Sequence, residues 1–265
     1  MMLQNKVAIV YGGGGAIGGA VARAFAKEGA ELFLAGRTKE KLDAVADDIR
    51  SVGGRAEVSV IDALNEKEVA LHSARVAAKA GGIDIAFNGL GINHVQGILL
   101  KDLSAADFLH PITAYATAYF ITARAVTPHM ASRGSGVIMM PSTPGARMPG
   151  TGFLGYGVSC AATEGMTRLL AAELAPAGVR VVCIRSHAIP EAAAMGSHSR
   201  DVFEPVARSA GISLEEMMEG VAAGTMLRQL PTLDQVANAA VFAASPHAAS
   251  MTGAVINLTG GAVVD

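Results

Sequence analysis

Seven short apolar runs, separated by stretches of helical periodicity, constrain this chain more than any other feature. Val7–Tyr11, Leu32–Ala35, Val58–Ile61, Ile83–Phe87, Val137–Met140, Val179–Ile184 and Ala254–Leu258 read as strands. Helical patterns occupy about 17–28, 39–51, 66–80, 104–133, 156–175 and 232–244. Strands that are apolar at nearly every residue must be covered on both faces, which is the condition of a parallel sheet between helical layers. Right-handed crossovers then generate a doubly wound arrangement. The expected fold is α/β: one domain over 1–265, with about seven parallel strands and helices on both faces. Ser104-x-x-Asp107 predicts a capping box at a helix start, and Pro111 places that helix's first turns in question.

Composition narrows the class. The chain has 265 residues, 51% hydrophobic and 17% charged, with a formal net charge of −2. A chain of this length can bury roughly 70–75% of its unfolded surface, so neither a disulfide framework nor a metal staple is needed. The absence of a basic stretch argues against a nucleic-acid partner. Cys160 and Cys183 are the only cysteines, as expected for reduced thiols in the cytoplasm, and the first residues do not read as a signal peptide. Gln235 to Val264 carries no charged residue and is long enough to span a bilayer. Pro246, Gly253, Gly260 and Gly261 interrupt it, so a buried helix, a turn and a buried strand are expected there, with no membrane partner.

After the first strand comes Tyr11-Gly12-Gly13-Gly14-Gly15-Ala16-Ile17-Gly18-Gly19, and then a helix. Glycines let the backbone turn sharply and approach a pyrophosphate, and the helix start offers free N–H groups and a positive dipole end. In a chain with 31 glycines the spacing alone is weak; its strand–loop–helix context makes it informative. No lysine follows, so this is not a nucleoside-triphosphate loop. Gly36-Arg37 ends the second strand where a carboxylate would hold a ribose 2′-OH. An arginine there can pair with a 2′-phosphate, which favours NADP(H) over NAD(H).

These residues, with several downstream, resemble the short-chain dehydrogenase/reductase family, and the resemblance covers nearly the whole chain. Gly12 and Gly18 match its T-G-x-x-x-G-x-G loop, with Tyr11 for the threonine and Ala16 for the middle glycine. Asp62 matches an acidic residue that contacts adenine; Asn88 and Gly91 match the N-N-A-G segment. Met251-Thr252-Gly253 through Gly261 resembles the terminal T-G…D-G-G strand, with Thr259 for aspartate. The resemblance implies a Rossmann-type fold in which Gly12, Gly14, Gly15, Ile17, Gly18, Arg37, Asp62, Asn88, Gly89 and Ile189 hold the cofactor. It also implies a homotetramer or homodimer. Helices near 104–133 and 156–175 are rich in apolar and small residues, such as Ala114, Ala118, Leu169 and Leu170, as expected of helices with more than one packed face.

The departures from the family pattern concern catalysis. The family reads a serine, then Tyr-x-x-x-Lys about thirteen residues on, with an asparagine on the preceding helix. Tyr156 is in place here, but Cys160 stands at the lysine position. Thr143 lies thirteen residues before Tyr156 and Ser142 fourteen; Ser142-Thr143-Pro144-Gly145 favours Ser142 as the hydroxyl, with one residue inserted. Tyr115 stands for the asparagine, and Ser186-His187 replaces a Pro-Gly beside the nicotinamide. Without the lysine's charge the Tyr156 phenol should titrate nearer ~10 than 7, and a neutral phenol suits carbonyl reduction better than alcohol oxidation. Cys160 reads as a small buried hydrophobe, a mark of lost catalysis, or a thiol with its own role. His187 reads as a structural histidine or a substitute acid/base. The seven histidines show no metal spacing. Three functions stay open: an NADP(H)-dependent oxidoreductase acting on a small or medium apolar carbonyl, a cofactor-binding protein without turnover, and non-redox chemistry such as dehydration or cyclisation. The least periodic segment, about 186–230, is the candidate substrate lid, and Met195, Met217, Met218 and Met226 within it read as packing or as a flexible substrate wall.

Overall fold

Every residue of β1 (Val7–Tyr11) is buried, and its neighbours show why. In the computed structural model, which describes residues 1–265, β1 lies inside one parallel sheet, with strands on both sides. The other strands are β2 (Glu31–Gly36), β3 (Arg55–Val60), β4 (Ile85–Asn88), β5 (Gly136–Ser142), β6 (Val179–Ser186) and β7 (Ala254–Leu258). Their order is β3-β2-β1-β4-β5-β6-β7. The order reverses between β1 and β4, where Ala8 pairs with Ile85 and Tyr11 with Asn88. At such a reversal the connections leave in opposite directions and a crevice opens beyond the strands' carboxyl ends.

Successive strand residues point to opposite faces, so each strand feeds two cores. Ala8, Val10, Leu32, Leu34, Phe87 and Met139 pack on α1 (Ala16–Lys27), α2 (Lys39–Ser51) and α9 (Leu233–Ala244). Val7, Ile9, Phe33, Ala86, Ile138 and Met140 pack on α3 (Glu66–Ala80), α4 (Ala105–Ala131) and α5 (Leu154–Leu174). The seven strands and six long helices coincide with the sequence reading to within a few residues. Helix α4 runs unbroken through the buried Pro111. Its cap is half of the expected box: Ser104 Oγ accepts from Asp107 N and donates to the Asp107 carboxylate, so the carboxylate does not reach back to the Ser104 backbone. No helix is long and apolar enough to cross a membrane.

The 186–230 segment is more regular than its sequence suggests. It forms α6 (Pro190–Ala194), α7 (His198–Ser209) and α8 (Leu214–Ala223). Gly196 and Gly211, which read as irregularity, end α6 and α7 in the left-handed region at φ 68° and 71°. A capping box joins Ser213 and Glu216 at the start of α8. Of the four methionines here, Met218 is buried, Met226 is exposed, and Met195 and Met217 face the crevice.

Under β1, His72 of α3 and Tyr11 face each other with ring centroids 6.1 Å apart. Both are buried, and neither the tyrosine hydroxyl nor either imidazole nitrogen has a hydrogen-bond partner. Burial pushes the His72 pKa from the ordinary 6.5 down to about 4. The unfolded chain therefore takes up this proton first, and stability is lost as pH falls from about 6.5 to about 4, by about 3 kcal/mol from this group. An apolar replacement leaves no orphaned nitrogen. Urea unfolding of His72→Leu should match or exceed wild-type stability at pH 7, and its advantage should grow by about 3 kcal/mol at pH 4. A stability difference that is constant with pH would refute this account.

Candidate active site

The crevice is floored by three backbones in contact. Gly12 turns the chain out of β1 at φ 73°, and a Cβ there would collide with the Gly89 carbonyl oxygen beyond β4. A Cβ on Gly18 would collide with the Gly12 carbonyl, and one on Gly89 would lie 2.8 Å from Gly18 Cα. Helix α1 opens at Gly15 without a side-chain cap, and Gly15, Ala16 and Ile17 border the crevice, so its free N–H groups remain for a ligand. The crevice has a volume of about 980 Å³. It runs from Arg37, Thr38 and Lys41, past the glycine loop, to Tyr156, His187 and the 186–230 segment.

Eight of the ten expected cofactor residues line it: Gly12, Gly14, Gly15, Ile17, Arg37, Asp62, Gly89 and Ile189. Asp62 also steadies its own turn, its carboxylate accepting from Leu64 N at 3.0 Å. Gly18 lies beneath the wall, where it permits the loop-to-helix contact. Asn88 corrects the expectation. It is fully buried, accepting from Thr122 Oγ1 at 2.8 Å and donating to the Met139 carbonyl at 3.5 Å. It therefore stitches β4 to β5 and α4 under the crevice, because the last residue of a central strand has no open side.

Helix α5 presents Tyr156 and, one turn on, Cys160. A small cavity of about 80 Å³ adjoins them, bordered also by Tyr115, Ser142, Thr143, His187 and His198. Thr143, rather than Ser142, is the hydroxyl on the crevice. Its Oγ1 is 3.2 Å from Cys160 Sγ, and it borders both the cavity and the crevice. The Ser142 hydroxyl is occupied elsewhere, donating to Glu164 Oε1 at 3.1 Å. Thr143 is the hydroxyl at the thirteen-residue spacing from Tyr156. Burial pushes the Cys160 thiol above its ordinary value, toward the S–H form. Burial, with Cys160 and Tyr115 alongside, pushes the Tyr156 phenol well above 10, further than the sequence implied.

Tyr115 borders the same small cavity. Its hydroxyl accepts from Ile92 N at 3.2 Å and so clamps the loop after β4, and burial pushes its pKa to about 12. His187 Nδ1 accepts from Ala188 N at 2.7 Å, which leaves its hydrogen on Nε2. Burial lowers its pKa, and that of His198 to about 4. His94, His110, His187 and His198 all border the crevice, although they lie far apart in sequence. His94, stacked on Tyr156 at 4.2 Å, His198 and Gln96 are site residues that the sequence did not reveal. No local spacing signals them, since His94 and Gln96 come from the loop after β4 and His198 from the start of α7. No group of three His, Cys, Asp or Glu side chains is arranged to hold a metal ion.

Behind the cavity, Arg185 is 1% exposed and pairs bidentately with Glu164 at 2.7 and 2.8 Å. Its third contact is Asp265 at 2.7 Å, which also accepts from Arg147 in the loop after β5. These contacts hold the base of α5 against β6.

Comparison with known proteins places this arrangement. Residues 14–263 match the family profile described as enoyl-(acyl carrier protein) reductase. An uncharacterised oxidoreductase of Mycobacterium tuberculosis is 34% identical over 98% of this chain and 92% of its own length. A 7α-hydroxysteroid dehydrogenase of Clostridium sardiniense is 29% identical over 98% and 94%. A solved 7α-hydroxysteroid dehydrogenase, complexed with NADH and 7-oxo glycochenodeoxycholic acid, superposes with a TM-score of 0.84, 27% identity and coverage of 99% and 96%.

The Glu164–Arg185 pair makes its own prediction. Glu164→Ala leaves a buried guanidinium with Asp265 as its remaining partner and should lower stability by about 3 kcal/mol. The double variant Glu164→Leu, Arg185→Met should recover most of that loss in urea unfolding. Equal stability of wild type and Glu164→Ala would show that the pair contributes nothing.

Proposed function

The chain belongs to the short-chain dehydrogenase/reductase family, and on that premise we propose that it is an NADP(H)-dependent oxidoreductase reducing the carbonyl of a small or medium apolar substrate. The observation that carries this reading is a neutral phenol, Tyr156, set beside Thr143 in the wall of the same crevice that the glycine cradle floors. The cradle fits a dinucleotide. Gly12, Gly18 and Gly89 leave no room for side chains, and the uncapped start of α1 suits a pyrophosphate. Arg37 supports a 2′-phosphate, with Thr38 and Lys41 beside it on the crevice.

When bound, the reduced nicotinamide supplies a hydride to the substrate carbon. The chain's own residues supply the rest. Tyr156 gives the proton to the carbonyl oxygen, and Thr143 orients that oxygen in the role the sequence gave to Ser142. Cys160 and Tyr115 shape the pocket, and His187 offers Nε2–H at its border. Every cationic side chain on the crevice, Arg23, Arg37 and Lys41, belongs to the end reached by β2, α1 and α2. The substrate end has Met195, Val202, Phe203 and Met217, with Asp201 among them and no cation, which supports a largely apolar molecule covered by the 186–230 segment as a lid. The absence of a cation beside Tyr156 favours a second reading, a cofactor-binding protein without turnover. Exposed Phe120, Leu154 and Leu169 on α4 and α5 support a homotetramer or homodimer, and two unpaired, buried cysteines suit the cytoplasm.

Two measurements test this. Arg37→Ala should weaken NADP(H) binding by about 10- to 150-fold, the loss of a charge-assisted contact worth about 1.5–3 kcal/mol, while NAD(H) binding changes little. Tighter NAD(H) binding by the wild type would reverse the assignment. In single-turnover NADPH oxidation against a carbonyl panel, Tyr156→Phe should abolish reduction. Turnover of a validated substrate at the wild-type rate by that variant would remove Tyr156 as the donor.

A further inference from the structure

The groups around Tyr156 on α5, α4 and β5 are Cys160, Tyr115 and Thr143, none of which carries a fixed positive charge. One titratable ring lies directly on the phenol. His94 stacks on Tyr156 with centroids 4.2 Å apart and planes 14° from parallel. The imidazole is held at both nitrogens. Nδ1 is 2.8 Å from the Ile92 carbonyl, which can only accept, so Nδ1 carries a hydrogen. Nε2 is 3.0 Å from the Gln96 side-chain amide. Ile92 is itself pinned, its N–H donating to the Tyr115 hydroxyl. Three linked hydrogen bonds thus hold the ring flat against the phenol.

The Gln96 contact can serve either charge state. With its NH₂ toward Nε2, the amide donates to a neutral imidazole. Turned over, its Oε1 accepts from Nε2–H of an imidazolium, and no hydrogen bond is lost.

Building on the reductase reading above, we propose that His94 is a positioning residue for Tyr156 that, on protonation, sets a cation against the phenol ring in place of the absent lysine. As hydride reaches the substrate carbon, the Tyr156 O–H bond breaks and an O–H bond forms on the carbonyl oxygen. The phenolate left behind then faces an imidazolium, and water restores its proton. The titratable groups facing His94 are Tyr156, stacked on it from α5, His110 on α4 and His198 on α7; Tyr115 and Cys160 adjoin Tyr156, and Asp201 adjoins His198. Burial, reinforced by His110, holds the His94 pKa below the ordinary 6.5, so the charge arrives on the acid side of neutrality.

The test pairs the pH profile of kcat/KM for carbonyl reduction with an NMR titration of the His94 imidazole, in wild type, His94→Phe and Gln96→Glu. In the wild type, kcat/KM should rise about 10-fold or more as pH falls through the His94 midpoint, since a cation at this range lowers a neighbouring acid's pKa by about 1–3 units. His94→Phe keeps a flat ring on Tyr156 and should lose the rise. Gln96→Glu places a carboxylate on Nε2–H and should move both the NMR midpoint and the kinetic limb upward by about one unit or more. A rise that survives in His94→Phe, or a kinetic limb that does not follow the His94 midpoint, overturns the proposal. If no carbonyl in the panel is reduced, it is the reductase reading that fails, and the NMR comparison decides the proton site alone: a midpoint raised by Gln96→Glu sustains it, and an unmoved one overturns it.

Discussion

The backbone contact between Gly12, Gly18 and Gly89 is the constraint on which the rest of the molecule turns. It exists because the strand order reverses between β1 and β4, so the turns leaving both strands end at the same point. Side chains there would push α1 off the sheet, closing the crevice floor and withdrawing the helix terminus from any ligand. The phosphate-binding character of the site and the seating of α1 are therefore one geometric fact, and neither can be altered alone.

Around that floor the site divides electrostatically. The end served by β2 and α2 presents cations, whereas the end served by α5 and the 186–230 segment presents rings, hydroxyls and thioethers, with Asp201 as its one carboxylate. Burial does most of this work. It raises the phenols of Tyr115 and Tyr156 and the thiol of Cys160, and it lowers the imidazoles of His94, His187 and His198. Each of these groups is pushed toward its uncharged form.

The inner strands were legible in the sequence because burial on both faces makes a strand apolar at nearly every position, a signal contained within the strand itself; at the edge, β3 opens with Arg55 and Glu57, and only its end reads as a strand. The glycine cradle was legible for the same reason, since its spacing is local. The three helices of 186–230 were not, because helices begun by Pro190, Ser197 and Ser213 and followed by glycines look like loop composition. Asn88 and Ser142 were misplaced for another reason. Both sit at strand ends, where one residue's difference decides whether a side chain faces the crevice, Thr122 or Glu164. His94, Gln96 and His198 left no local trace, because only the folded topology brings them to Tyr156.

The pairing of β1 with β4 also governs the order in which the molecule can assemble. β3-β2-β1 can form from the first 60 residues or so, but β1 then lacks the partner that pairs Ala8 with Ile85. Until β4, α4 and β5 arrive, a wholly apolar strand stands as an open edge, with unpaired N–H and C=O groups along its length. Non-local parallel pairing is slow to form, so this interval is when an emerging chain is most exposed to joining another copy. The strand that is most protected in the finished protein is the one most vulnerable during its synthesis.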